Sequence, residues 1–262
     1  MRFFIFCRLI VTNMPTIKIE DCIVEIEEKL LAAVDLEKVT KIKDLKKYIG
    51  TKLNFIGLSV PQQREVFAIG YSWNDSPIKQ QFSIWDKVWK KSTNYEVINQ
   101  ALFFYSKNRQ LVNPQELWNT LKLWVIKVDN WAHSDSLSDL YSYLLERESN
   151  HIYPDLVTWN TSQNPWERRQ SLVSLMEYSK KRKQLLPVNK MLPLVKNLLN
   201  DQDIFVQKAV GWSLREIGNA YPADTLRFLN KHCKKISAVA FSAAIEKLNA
   251  EQKNDLKTLR KR

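Results

Sequence analysis

The sequence predicts an all-α protein, built as a superhelical stack of antiparallel helix pairs. From about residue 18 onward, apolar residues recur at helical spacing in roughly a dozen segments of about 10–17 residues. No run of alternating apolar and polar residues is long enough to suggest a sheet. Short links between so many helices in a chain of 262 residues favour a stack of helix pairs over a four-helix bundle.

The first helices are predicted from their apolar stripes and their start signals. Ile23, Ile26, Leu30 and Leu31 form the first stripe, and Leu45 and Ile49 with lysine-rich neighbours form the second. The segment Gly57–Arg64 predicts a loop that leads into a third helix.

Two later helices have a clearer start. In Asn113-Pro114 and Asn164-Pro165, an Asn side chain accepts from free backbone N–H groups while proline fits the first turn. No repeat of fixed length is visible, as expected of degenerate HEAT-like pairs. We expect one continuous HEAT-like domain over residues 18–256, curved around a concave basic cleft that fits a duplex.

The two ends of the chain are predicted to lie outside this domain. Met1–Thr12 resembles a short signal-peptide core, but Arg8 interrupts it and no small-residue cleavage site follows. Because Met14 opens an ordinary sequence, we interpret residues 1–17 as a disordered leader or a mis-assigned start. Residues 257–262 are interpreted as a basic tail, and no segment is apolar enough to span a membrane.

Composition favours a polyanionic partner. Lys and Arg number 40 against 28 Asp and Glu, giving a net charge of +12, and nine Trp and eleven Phe suit contacts to bases and sugars. Three scattered Cys without CxxC spacing suggest a reducing compartment, and three His without ligand-like spacing suggest no metal site. Five Gly, with no glycine-rich phosphate loop, argue against hydride transfer and nucleotide hydrolysis.

The segment 203–217 is the most informative part of the chain. At helical spacing, Lys208 and Arg215 lie one turn before and after Trp212, so two cations flank an indole on one face. We expect Gly211 to open the backbone beside the indole to a ligand. The opposite stripe, which anchors the helix, is Phe205, Val206, Ala209, Val210 and Ile217. The alternative is a core tryptophan with two cations that extend to solvent.

Two other segments share these features. Trp131 and Asp135 are four residues apart and face the same way if helical, and Trp166-Glu-Arg-Arg169 follows a helix start. As alternatives, Asp135 pairs with a nearby cation or caps its helix, and Trp131 packs in the core. His133 is expected to be solvated on a helix surface and is given no role.

Other candidates have simpler interpretations. The run 180–183 (KKRK) is a solvated loop or, alternatively, a phosphate-contacting one. Trp73, Trp85, Trp89 and Trp118 are expected to pack in the core or between helices.

These motifs, in this order, resemble the DNA alkylation repair enzymes of the AlkD-like group, which are HEAT-like repeat DNA glycosylases. The matching pieces are Gly57–Arg64, Trp131-x-x-x-Asp135, Trp166-Glu-Arg-Arg169 and Val206–Glu216, and they span roughly residues 40–250. The resemblance implies hydrolysis of the N-glycosidic bond of positively charged N3- or N7-alkylated purines in duplex DNA.

The resemblance also implies the site. Asp135, Trp131 and Trp212 become catalytic candidates, and an arginine that holds a phosphate falls on Arg169 or its neighbour Arg168. Lys208 and Arg215 are further candidates for DNA contacts. We expect a monofunctional, monomeric glycosylase that uses water as nucleophile, acts on double-stranded DNA with alkylated bases in the nucleoid-associated cytoplasm, and needs no cofactor or metal. The alternatives are a non-catalytic DNA-binding module and a protein-interaction scaffold.

Overall fold

A computed structural model describes residues 17–34 and 42–261, and over these residues the predicted all-α class is confirmed. The described part contains fourteen α-helices, two short 3-10 helices at Trp124–Lys127 and Ser179–Lys181, and no β-strand. The α-helices are α1 Ile19–Ala32, α2 Ile42–Ile49, α3 Val60–Ile69, α4 Ile78–Lys91, α5 Tyr95–Asn108, α6 Pro114–Leu121, α7 Trp131–Arg147, α8 Ser149–Trp159, α9 Pro165–Val173, α10 Val188–Asn197, α11 Ile204–Ala220, α12 Pro222–His232, α13 Ala238–Ala244 and α14 Ala250–Lys261.

The helix starts follow the sequence signals. Asn113 and Asn164 accept from backbone N–H groups in the first turns of α6 and α9, each with proline in that turn. The segment Gly57–Arg64 leads from a loop into α3, as predicted, and Ser59 forms a reciprocal capping box with Gln62 at the start of that helix. Local capping chemistry therefore fixes where these helices begin.

The helices form a layered stack. Helices α5, α7, α9, α11 and α13 pack side by side in series, and α4, α6, α8, α10 and α12 each pack against a neighbour in that row. This arrangement is the predicted stack of helix pairs. None of the described helices has both the length and the apolar character needed to cross a bilayer.

Tryptophans fill the first half of the core. Trp73, Trp85, Trp89 and Trp118 are buried, which confirms their predicted packing role, and the Trp89 and Trp124 rings stack with their centroids 4.3 Å apart. The predicted apolar stripes were wrong in part: Leu31 and Leu45 are exposed. The buried residues of α1 are Ile19, Cys22, Ile26 and Leu30. The buried face therefore shares Ile26 and Leu30 with the predicted stripe but not Leu31.

Gly211 has a different role from the one predicted. A Cβ built at this position would lie 2.8 Å from Ala240 Cα and 2.9 Å from Ala243 Cβ, so the glycine lets α11 and α13 approach each other. The interpretation that it opens the backbone to a ligand was wrong, because the facing helix fills that space.

The C-terminal residues also differ from the prediction. Residues 257–261 continue α14 and are not a separate basic tail. Arg260 donates to the backbone carbonyls of Cys233 and Ile236, which ties the helix to the turn between α12 and α13. The predicted leader, apart from residue 17, lies outside the described residues.

Candidate functional site

A cavity of about 210 Å³ opens along the row of helices α7, α9, α11 and α13. Four of the predicted site residues line it, namely Asp135, Arg169, Lys208 and Trp212. The other lining residues are Ser138, Val173, Glu177, Tyr178, Val239 and Ala243. The structure therefore brings together, from three helices, residues as far apart in the chain as Asp135 and Trp212.

Asp135 and Arg169 form an ion pair in this cavity. Arg169 Nη2 lies 2.6 Å from Asp135 Oδ1, and the arginine also donates to Ser134 Oγ at 3.1 Å and to the Phe205 carbonyl at 2.7 Å. The Arg169 side chain is 8% exposed, whereas that of Asp135 is 51% exposed. The alternative that Asp135 pairs with a nearby cation is thus what the structure shows, and the pairing leaves much of the carboxylate open to a ligand.

Trp131 lies one turn before Asp135 on α7, but it does not line the cavity. Its indole Nε1 donates to the Tyr48 carbonyl at 3.1 Å, and the Tyr48 ring meets it edge-on with centroids 5.4 Å apart. Trp131 is partly exposed, whereas Trp124 is fully buried, so the core-packing alternative for Trp131 was wrong. The two candidate tryptophans are therefore in different surroundings.

Arg168 and Arg215 do not line the cavity, and both are paired with acidic residues. Arg168 forms a bidentate pair with Asp201, with its Nε 2.6 Å from Oδ2. Arg215 Nη1 lies 2.7 Å from Glu246 Oε2, and its Nε lies 3.4 Å from Glu216 Oε1. Of the two adjacent arginines in α9, Arg169 is the one that faces the cavity.

Of the four predicted cations for DNA contact, Lys208 is the one that remains accessible to a ligand at the cavity. It is exposed, it lines the cavity, and its Nζ lies 5.3 Å from the centre of the Phe205 ring. Within the described part of the chain it has no carboxylate partner. Its charge can therefore be offered to an anionic ligand beside the cavity.

The segment between α9 and α10 supplies residues that the sequence analysis missed. Glu177 and Tyr178 line the cavity, and Tyr178 is the only non-glycine residue with a positive φ, 47°, among the described residues. Burial and the nearby Asp139 raise the pKa of Glu177 to about 7, against the opposing effects of Lys181 and Arg182. No spacing signal marks these residues, because the segment is irregular.

The run 180–183 is only partly a solvated loop. Arg182 is nearly buried and pairs with Glu177 at 3.0 Å and Asp139 at 3.3 Å, while the three lysines are exposed. The prediction of a fully solvated run was therefore wrong for Arg182, because carboxylates of α7 and of the segment itself surround it.

His133 is buried rather than solvated. Its ring stacks on Tyr95 with centroids 4.5 Å apart, and Nδ1 lies 3.0 Å from the side-chain amide of Asn130. Burial lowers the pKa of His133 to about 4. Within residues 17–34 and 42–261, no group of three or more His, Cys, Asp or Glu is arranged to hold a metal ion.

Comparison with known proteins identifies the class. A family model described as DNA alkylation repair enzyme matches residues 26–248, and the chain belongs to this family. The chain is similar to the solved structure of a predicted DNA alkylation repair enzyme from Enterococcus faecalis, with 16% identity and a TM-score of 0.69. The match covers 81% of this chain and 97% of the Enterococcus faecalis chain.

A second solved structure has a lower structural similarity. It is the crystal structure of AlkD2 from Streptococcus mutans, with 18% identity and a TM-score of 0.50. The match covers 84% of this chain and 97% of the AlkD2 chain. No curated protein sequence matches the chain. These structural similarities confirm the helical-repeat fold.

Proposed function

We propose that this protein is a monofunctional DNA glycosylase that hydrolyses the N-glycosidic bond of cationic N3- or N7-alkylpurines in duplex DNA. The observation that carries the proposal is the half-exposed Asp135 carboxylate, held by Arg169 in the same cavity as the Trp212 indole. Membership of the DNA alkylation repair family supports it. We further propose that it acts as a monomer in the cytoplasm, in association with the nucleoid.

The reaction needs little acid catalysis. An alkylated purine that already carries a positive charge departs as a neutral base, taking the bonding electron pair with it. Positive charge then develops on the sugar, in an oxocarbenium-like transition state. Water adds at the anomeric carbon, and its proton passes to a carboxylate or to solvent.

The side chains of the cavity suit that charge movement. Asp135 stabilises the sugar cation electrostatically and orients the attacking water. The face of Trp212 attracts cationic groups, each such contact being worth on the order of 0.5–2 kcal/mol. Because Arg169 is already bonded to Asp135, Ser134 and the Phe205 carbonyl, we assign it to positioning the carboxylate rather than to gripping a phosphate.

Phosphate contact is assigned to Lys208, which is exposed beside the cavity. Trp131 retains a proposed contact with the DNA strand near the lesion, since its indole is oriented by the Tyr48 carbonyl. The acidic partners of Arg168 and Arg215 make both residues weaker candidates for phosphate binding.

The test is release of 7-methylguanine and 3-methyladenine from methylated duplex DNA by the wild type and by Asp135→Asn. We expect release by the wild type and a decrease on the order of 100-fold or more in the variant. Asp224→Asn is the matched control, because it removes the same charge from an arginine-paired aspartate outside the cavity.

The outcomes separate the alternatives. Release that survives Asp135→Asn would assign catalysis to another residue. No release by the wild type, with salt-sensitive DNA binding retained, would support a non-catalytic DNA-binding module. No DNA binding at all would support a protein-interaction scaffold.

A further inference from the structure

A second concave surface lies in the layer formed by α4, α6, α8, α10 and α12. Helices α10 and α12 both pack against α11, and a groove of about 420 Å³ lies between them. None of the residues that line this α10–α12 groove lines the cavity of Asp135 and Trp212. A ligand can therefore occupy the groove while another ligand occupies the cavity.

The charges at the α10–α12 groove are mainly positive. Lys196 of α10 and Lys231 of α12 are exposed and line the groove, and neither forms an ion pair with a carboxylate in the described part of the chain. Arg227 also lines the groove, but it pairs at 2.8 Å with Asp224, which is the one acidic residue among the described lining residues. Two lysine charges are therefore left for an anionic ligand to neutralise.

His232, which also lines the groove, is affected by this positive charge. Its ring packs on that of Phe228 with centroids 4.6 Å apart. Partial burial lowers the pKa of His232, and so do the nearby charges of Lys231 and Lys196. Neighbouring cations have this effect because they disfavour a further positive charge on the imidazole. The same local potential attracts a negatively charged ligand.

The groove also has an apolar part. Leu192 and Pro193 of α10 and Phe228 of α12 line it. Lys196 follows Leu192 by one helical turn, and Lys231 follows Phe228 by one turn, so each lysine shares a helix face with an apolar residue. A DNA backbone offers phosphates but no large apolar side chain to such a surface. A peptide that carries an apolar side chain beside carboxylates complements both parts of the groove.

We propose that the α10–α12 groove is a docking site for an acidic segment of a partner protein, with one large apolar side chain between the helices and carboxylates on Lys196 and Lys231. The volume of the groove falls within the range of about 300–1,000 Å³ that is typical of ligand pockets, which holds a few side chains and not a duplex. Burial of the apolar side chain supplies affinity, while the carboxylates provide specificity and orientation. The inference does not depend on glycosylase activity, because the groove and the cavity share no lining residue.

The test is fluorescence anisotropy with a labelled peptide of four aspartates followed by a phenylalanine. We expect the wild type to bind this peptide, and the double variant Lys196→Gln/Lys231→Gln to bind it about 2- to 30-fold more weakly. The matched control is Lys79→Gln/Lys87→Gln, which removes two exposed lysines from α4 in the same layer and leaves the affinity unchanged. Because all four lysines are exposed, neither double variant should lower the thermal midpoint. A peptide that ends in alanine should bind about 10-fold more weakly than the one that ends in phenylalanine.

Competition with DNA separates the possible occupants. An unmodified duplex does not displace the peptide if the groove and the DNA-binding surface are different sites. Displacement by the duplex would place the peptide on the DNA-binding surface and overturn the inference. No peptide binding by the wild type would also overturn it, as would equal weakening in the two double variants, which would mean that total charge governs binding. Equal affinity for the two peptides would reject the apolar contact. Failure of the wild type to release alkylated bases would affect the proposed function alone.

Discussion

At the scale of single residues, Asp135 depends on Arg169 for its orientation. The arginine is nearly buried and donates hydrogen bonds to Asp135, Ser134 and the Phe205 carbonyl. Its position is therefore fixed by α7 and α11 together. A guanidinium held in this way presents a fixed fork to the carboxylate. The carboxylate thereby keeps one oriented oxygen while its other edge remains accessible.

His133 allows a prediction about pH. Burial lowers its pKa to about 4, from an ordinary value of 6.5. Between these values the unfolded chain binds a proton that the folded protein does not. The stability from this group is therefore present above about pH 6.5 and is lost as the pH falls toward 4, by on the order of 3 kcal/mol.

The measurement is the free energy of unfolding by denaturant at several pH values for the wild type and His133→Gln. The variant shows a smaller loss of stability than the wild type between about pH 6.5 and 4. The difference between the two proteins isolates His133 from carboxyls such as Glu177, which titrate in both. Parallel curves for the two proteins would contradict the buried neutral state.

At the scale of helices, the contact of α11 with α13 depends on Gly211. We expect Gly211→Ala to destabilise the fold by about 1–3 kcal/mol, because the new methyl group meets the backbone of Ala240. Gly218→Ala on the same helix is the matched control, since its Cβ would meet Thr225 Cγ2 at an ordinary 3.4 Å. That substitution is neutral or stabilises by up to about 1 kcal/mol. Equal thermal midpoints for both variants would refute this role of Gly211.

Helix starts were predictable from sequence, whereas helix contacts were not. Asn113 and Asn164 act on backbone groups two or three residues away, so their signals are local. The role of Gly211 depends on α13, some thirty positions further along the chain, and the burial of His133 depends on α5. Spacing within one helix contains no information about such partners.

At the scale of the whole molecule, the same limit applies to the candidate site. Four residues that the motifs singled out, Asp135, Arg169, Lys208 and Trp212, line one cavity. They did not separate Arg168 from Arg169, because both positions fit the motif and only Asp201 decides between them. Tyr178 was missed because its position is set by Ser142 and Glu216 on two different helices.

The net charge of +12 leads to a last prediction, on the salt dependence of DNA binding. The logarithm of the association constant for DNA falls linearly with the logarithm of the salt concentration, and each phosphate that the protein neutralises adds about 0.9 to the magnitude of this slope. Lys208→Gln should reduce that magnitude by about 0.9, because Lys208 is exposed beside the cavity. Arg215→Gln removes the same charge from a residue already paired with Glu246, so it should leave the slope unchanged.

Titrations of a fluorescent duplex at several salt concentrations measure both slopes. An equal decrease in both variants would mean that overall charge, and not the position of Lys208, governs binding.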